Sequence, residues 1–400
     1  MLLYCYAGIS SRQVRKTLEC FTLVFDCQTD EIPSHQTVLD WVGKCGLDLN
    51  QSSHSGQSLK DIDYSLIMDN SISVGGHDLH VELALPAKFP GHTLTCADVR
   101  LLDMKVATKW NARMVQDELS ESMHRVGHKP LYVVTDNARL MMSPLRNLGV
   151  ANHRDLSHTL GVFLEQVYGK DESFLDFSAK LGMARKFVHT DSAYLMPPKK
   201  RTVARFMNLF DHVEWAHKIL SIDYELNAID RLVCGACLKH ASLVEELYEI
   251  MSLYKAIETT LKARGLSRTT AEECRLMVKE ALWCGTARQR RIGDLLIKYI
   301  DTEASLLGSA DAVHNISSDI IESIFGLLKS RLSPNPNAGF TKQILLIPLH
   351  LRLSDYESCK DFSVAPLLER STLTKLNHWR HTALLESNAS KRSSFFKKCA

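Results

Sequence analysis

The chain has 400 residues, 45% hydrophobic and 24% charged, with a net charge of +2. That composition is ordinary for a soluble globular protein and allows two or more domains and a large core. It excludes a uniformly basic nucleic-acid binder, so any positive surface has to be concentrated locally, and no apolar run reaches the ~18 residues a membrane span requires.

Eleven scattered cysteines without a framework or a signal peptide read as reduced thiols in the cytoplasm. The opening "MLLYCYAGISS" is too short for a leader with a cleavage site. It reads as the tail of a helix, and part of an N-terminal domain is expected to be missing.

Residues 8–21 carry a serine start signal, then Val14, Leu18 and Phe21 at helical spacing. Residues 33–46 repeat the design, with Ser34 as N-cap and Gly46 to close the helix. Two such helices fit a helix-turn-helix in region 1–47, with His35, Gln36 and Thr37 presented to a DNA groove. A helical pair that only packs fits equally well. The polar stretch 48–62 reads as a linker.

The period then changes. Residues 64–70, 78–85 and about 94–104 are strand-like, and Gly75-Gly76 marks a hairpin turn. A helix over about 109–126, a strand at 131–135, a helix at about 138–148 and a short strand in "VANHRDL" follow. Three strands, helix, strand, helix, strand predict a mixed α/β sheet over 63–158, a meander joined by parallel crossover strands. Residues 159–310 read as an all-helical insertion, 311–350 as a further core helix, and 351–400 as a basic tail.

"SLIMDN" and "LYVVTDN" are apolar runs that break off at Asp69-Asn70 and Asp136-Asn137. Each alone is good turn chemistry. Together they can place two carboxylates at the carboxyl edge of one sheet, where ligands bind. In "SDIIESIFGLLKSRL", Ile320, Ile321, Ile324, Phe325, Leu327 and Leu328 share one helix face, and Ser318, Asp319, Glu322, Gly326 and Lys329 share the other. Laid across the sheet edge, that helix turns Glu322 toward both aspartates; otherwise Glu322 is a solvated residue. Three gathered carboxylates raise one another's pKa and call for a hard divalent cation, Mg²⁺ first. Two such ions, roughly 4 Å apart, serve in-line phosphoryl displacement.

"RKFVHTDSAYLMPPKKRTVAR" gathers Arg185, Lys186, Lys199, Lys200, Arg201 and Arg205, and Arg288, Arg290 and Arg291 form a second cluster. Beside a phosphoryl-transfer site such runs hold DNA backbone; elsewhere they are solvated faces. Trp283 reads as core, or as a platform for a displaced base. Cys234, Cys237 and His240 have zinc-like spacing, but a structural zinc takes four ligands, and buried thiols in a helical bundle are the simpler expectation.

"LIMDNSISVGG", "YVVTDNARL" with "RDLSH", "LMPPKKRTVARF" and "SSDIIESIFGLLKSRL" together resemble bacterial insertion-sequence transposases of the DDE type, over roughly residues 8–350. The resemblance implies a ribonuclease H-like core and a triad of Asp69, Asp136 and Glu322 that binds Mg²⁺ or Mn²⁺, two ions in all. It implies cleavage at transposon ends and strand transfer into target DNA, by a homo-oligomer assembled on DNA in the bacterial cytoplasm at the nucleoid. Asp155 to His158 matches an Asp-x-x-His signature after the second aspartate, which would give His158 a supporting catalytic role. Two alternatives remain: an inactive transposase-derived DNA-binding protein or repressor, and a nuclease of the same fold.

Overall fold

The computed structural model describes every residue except 27–30, 137, 188–193, 200–205, 207, 208, 333, 334, 336 and 400. The chain divides into two compact units. One is Met1–Asn152 with Ser318–Ala400, and the other is His153–Ser317.

The first unit opens with three helices, α1 (Leu2–Cys5), α2 (Ser11–Val24) and α3 (His35–His54). Ser10 and Gln13 close a capping box on α2, and the Ser34 hydroxyl accepts from the Thr37 amide to cap α3. One expectation changes here. Gly46 does not end α3, which runs on to His54, into the supposed linker. A side chain at Gly46 would stand 2.3 Å from the Leu345 carbonyl oxygen, so this glycine serves close packing instead of a cap. The turn that a helix-turn-helix needs between α2 and α3 includes residues 27–30, which lie outside the described residues. The α3 helix packs on α2, across the sheet's third strand and against the C-terminal helices.

The sheet has five strands: β1 (Tyr64–Val74), β2 (His77–Pro86), β3 (Arg100–Ala107), β4 (Tyr132–Thr135) and β5 (Ala151–Arg154), in the order β3-β2-β1-β4-β5. The first three form an antiparallel meander, and β4 runs parallel to β1. The hairpin between β1 and β2 is the two-residue turn that the glycine pair announced. Gly75 and Gly76 have φ of 61° and 80°, and Val74 pairs with His77 across the turn.

Alternation gives the sheet two apolar faces. Leu66, Met68 and Val133 point to one face, under α4 (Ala112–Val126) and α5 (Arg139–Leu148), with Val115, Leu119, Met141 and Leu145. Ile67, Val81, Leu83 and Val134 point to the other, under Ile321, Ile324, Phe325 and Ile347 from beyond the second unit.

The second unit is helical: α6 (Leu156–Tyr168), α7 (Glu172–Phe187), α8 (Leu209–Ser221), α9 (Ala228–Lys239), α10 (Ala241–Arg264), α11 (Arg268–Leu282) and α12 (Ala287–Ala304). Its core gathers around α10, whose Leu247, Ile250, Tyr254 and Ile257 are buried. Where the chain enters and leaves this unit, His153 Nε2 lies 2.8 Å from His314 Nδ1 and His153 Nδ1 lies 3.0 Å from Glu303 Oε2.

After this unit the first resumes with α13 (Asp319–Lys329), α14 (Leu346–Arg352), α15 (Tyr356–Lys360), α16 (Ala365–Arg370), α17 (Leu373–Ala383) and α18 (Asn388–Cys399). Ile320, Ile321, Ile324, Phe325 and Leu328 of α13 are buried against the sheet, while Leu327, expected beside them, is 45% exposed. Among the described residues no helix is long and apolar enough to cross a membrane.

Candidate active site

The register of β1 against β4 brings two acids together. Leu66 pairs with Val133 and Ile67 with Val134. Two residues further on, the same register sets Asp69 beside Asp136, just past the end of β4. Ile67 and Val134 point toward α13, so Asp69 and Asp136, each two residues on, continue that face. Both are half-buried.

Asp69 is not the end of its strand, as the Asp-Asn pair had implied. The β1 strand continues to Val74 through a bulge. Asp69 pairs with Val81 and Ile72 with Leu79, so Asn70 and Ser71 together oppose the single residue His80. Such a bulge bends the strand and re-aims its side chains. The Ser71 amide donates to Asp69 Oδ1 at 2.8 Å and the Ser71 hydroxyl donates to Oδ2 at 2.7 Å. Burial pushes the Asp69 carboxyl above its ordinary value; the bonds from Ser71 oppose the rise and the neighbouring Asp136 carboxylate adds to it. Asp136 accepts from the Ala138 amide at 3.0 Å, which holds its carboxyl at the entrance to α5.

The third predicted acid, Glu322, lies in the first turn of α13, on its exposed side. The helix packs on β1. Among the described residues, however, no group of three or more His, Cys, Asp and Glu side chains is placed to hold a metal ion. The Asp69–Asp136 pair suits a hard divalent cation, since two like charges on adjacent strands are relieved by one.

A buried polar chain flanks the pair on the α4 side, and the sequence reading missed it. His80 Nε2 lies 3.1 Å from Glu82 Oε1, and His80 Nδ1 faces the Asn70 side-chain oxygen. His80 and Glu82 are 1% and 0% exposed. The Trp110 ring lies against His80, with ring centroids 5.0 Å apart. The only signal in the sequence is the pair of polar residues alternating with Leu79, Val81 and Leu83, a pattern that ordinarily marks a solvated face.

The other predicted site residues behave differently. His158 belongs to the helical unit, where its amide donates to Asp155 Oδ1 at 2.9 Å; Asp-x-x-His here is a helix cap. His35 and Gln36 are exposed on the first turn of α3, and Gln36 donates to Asp40 at 2.9 Å. Thr37 is half-buried within the cap. Arg185 donates to the Pro197 carbonyl, and Lys199 is exposed. Lys200, Arg201, Arg205 and the side chain of Lys186 lie outside the described residues.

Arg288 is not a free surface cation: it chelates Glu246 at 2.8 and 3.0 Å and meets Asp171 at 2.6 Å. Arg290 and Arg291 are exposed. Trp283 is 65% exposed, against the expectation of a core residue. Burial pushes the Cys234 and Cys237 thiols up to about 11 and about 12, and His240 bonds Asp176 at 2.8 Å. That is the chemistry of inert core thiols.

Strand order, the parallel β1–β4 pair and the helices on both faces define a ribonuclease H-like α/β core, interrupted by an all-α unit. A solved structure described as the Drosophila P element transposase strand transfer complex is similar to this chain with a TM-score of 0.41 and 11% identity, over 89% of this chain and 95% of that one. No protein-family model and no curated protein matches it.

Proposed function

We propose that this chain is a DDE-type transposase acting on DNA, with Asp69, Asp136 and Glu322 as its acids. The observation that carries the reading is the β1–β4 register, which sets Asp69 and Asp136 side by side on the face that α13 covers. A pair of carboxylates at such a strand edge has little use without a cation. Asp69 and Asp136 would hold Mg²⁺ or Mn²⁺, which neutralises charge on phosphoryl oxygens and activates a water or a 3′-hydroxyl. The chain's own residues do the holding: Ser71 fixes both oxygens of Asp69, and the Ala138 amide fixes Asp136. Exposed Glu322 would join them when DNA and metal are present. DNA ends and target DNA are the proposed substrates, bound by a homo-oligomer.

A second reading, an inactive transposase-derived DNA-binding protein, is favoured by the absence among the described residues of a three-acid metal group. One paired assay separates the two. On a DNA fragment carrying the element's end, retention is measured with Ca²⁺ and cutting with Mg²⁺, for the parent and for Glu322→Gln. Cutting by the parent alone supports the transposase; binding without cutting by either protein supports the inactive reading. Cut ends left unjoined to target DNA would indicate a nuclease.

A further inference from the structure

His80 is the single β2 residue opposite the two bulged residues of β1, and its partners lie on both sides of it. Toward the sheet interior stands Glu82, fully buried, with Oε1 on the imidazole and Oε2 without a hydrogen-bond partner. Toward the bulge stands Asn70, whose side-chain oxygen faces His80 Nδ1 and whose Nδ2 is buried without a partner. A carboxylate on Nε2 fixes the hydrogen there, which leaves Nδ1 of a neutral ring as an acceptor. Turning the Asn70 amide over then offers Nδ2 to Nδ1 and satisfies the orphaned donor. Either way the chain of contacts runs Glu82, His80, Asn70.

A buried carboxylate with one oxygen unpaired is a poor stabiliser, because an apolar side chain of the same shape avoids the desolvation. Its location supplies a reason for it. Asn70 follows Asp69 directly, and the Asn70 side chain points to the α4 face while Asp69 points to the α13 face. Fixing Asn70 therefore fixes the twist of the bulge, and with it the direction of Asp69.

We propose that His80 and Glu82 are positioning residues for Asp69: the buried carboxylate orients the imidazole, the imidazole anchors the Asn70 amide, and the anchored amide holds the bulge that aims Asp69. The proposal rests on reading Asp69 as a member of the reacting site. It predicts that the Asp69–Ser71 turn loosens when the chain of contacts is cut, while the sheet around it does not.

The test uses the full chain and three variants, Asn70→Ala, His80→Phe and Glu82→Gln, with thermal unfolding to establish that each is folded. Amide hydrogen exchange is followed at Ser71, whose N–H donates to Asp69, and at Leu66 and Leu83 as sheet controls. In Asn70→Ala and His80→Phe the Ser71 amide should exchange at least tenfold faster while the controls hold. Glu82→Gln keeps an acceptor for Nε2 and should keep Ser71 within about threefold of the parent. Mg²⁺-dependent cutting by Asn70→Ala should fall at least tenfold in kcat with KM for DNA unchanged.

Unchanged Ser71 protection in Asn70→Ala overturns the proposal, even if His80→Phe loosens the whole sheet, because the buried pair is then core structure only. If the parent cuts no DNA, the proposed function fails, and the exchange data still decide whether the pair aims Asp69.

Discussion

Asp69 in β1 and Asp136 just past the end of β4 occupy matching positions, two residues beyond the Ile67–Val134 pair of these adjacent parallel strands, and the Asp136 carboxylate raises the pKa of the Asp69 carboxyl after burial has already done so. Like charges held this way oppose folding unless a cation sits between them. If the pair is the proposed cation site, the protein without the ion should carry a small electrostatic cost at this spot.

Asp136→Asn relieves the repulsion. The metal-free variant should unfold later than the parent at pH 7, by about 1 kcal/mol or roughly 2–4 °C. A carboxyl with a raised folded-state pKa regains stability as the pH falls through its titration, so the advantage should shrink toward pH 4. Mg²⁺ should raise the melting temperature of the parent and leave the variant where it is. Thermal unfolding with and without the ion checks both statements; an Mg²⁺ shift that persists in Asp136→Asn would remove the pair as a cation site.

The hairpin glycines differ in consequence. A side chain at Gly76 meets open space, so Gly76→Ala should cost only the strain of its positive φ, about 1–2 kcal/mol. A side chain at Gly75 would stand 1.8 Å from the Ala338 carbonyl oxygen. Gly75→Ala should therefore cost clearly more, on the order of 3 kcal/mol or above. Urea unfolding of the two variants gives the ranking.

Arg288 should reveal itself as structure. Its removal leaves buried Glu246 without its guanidinium, and the Tyr168 hydroxyl alone on that carboxylate. Arg288→Ala should destabilise the helical unit by about 3–5 kcal/mol. Arg291→Ala, on the exposed side of α12, should leave stability within about 0.5 kcal/mol. Duplex binding measured against salt then reports on Arg291 without the complication of unfolding.

Acid should weaken the helical unit. Burial, with the neighbouring His153 second, lowers the His314 pKa to about 4. Between about pH 6.5 and 4 the unfolded chain therefore binds a proton there that the folded one does not, and stability falls as the pH drops through that window. The loss amounts to about 2–3 kcal/mol. His314→Asn should flatten this part of the pH dependence in urea unfolding at pH 7 and pH 4.5. The separate contribution of His350, lowered to about 4 by burial and then Arg331, should remain.

Much of the core could be read from the chain because its signals are local. The glycine pair demands a two-residue hairpin, strand alternation separates Ile67 from Leu66, and the spacing of Ile320, Ile321, Ile324 and Phe325 gives α13 its buried side. The bulge at Asn70 could not be read, because Asp-Asn looks like a turn until a partner strand shows two residues facing one. Gly46 looked like a helix terminator because its reason for being small lies some three hundred residues away, in Leu345. His80 and Glu82 could not be singled out, because strand alternation does not say whether α4 will cover the polar side. Arg288 and Arg291 look alike in the sequence, and only helical phase separates the inward cation from the outward one.

The sheet is finished by a helix that arrives late. The β1–β4 strands are made before Asn152, whereas α13 follows Ser317, so a ribosome must translate all of His153–Ser317 between them. At ordinary elongation rates that interval is roughly ten to thirty seconds. During it Ile67, Val81, Leu83 and Val134 have no α13 to cover them, long after local strand pairing can occur. The nascent chain therefore presents a sticky half-built layer for many seconds. Its yield in the cell should depend on translation speed through the helical unit and on holding chaperones, more than on the stability of the finished protein.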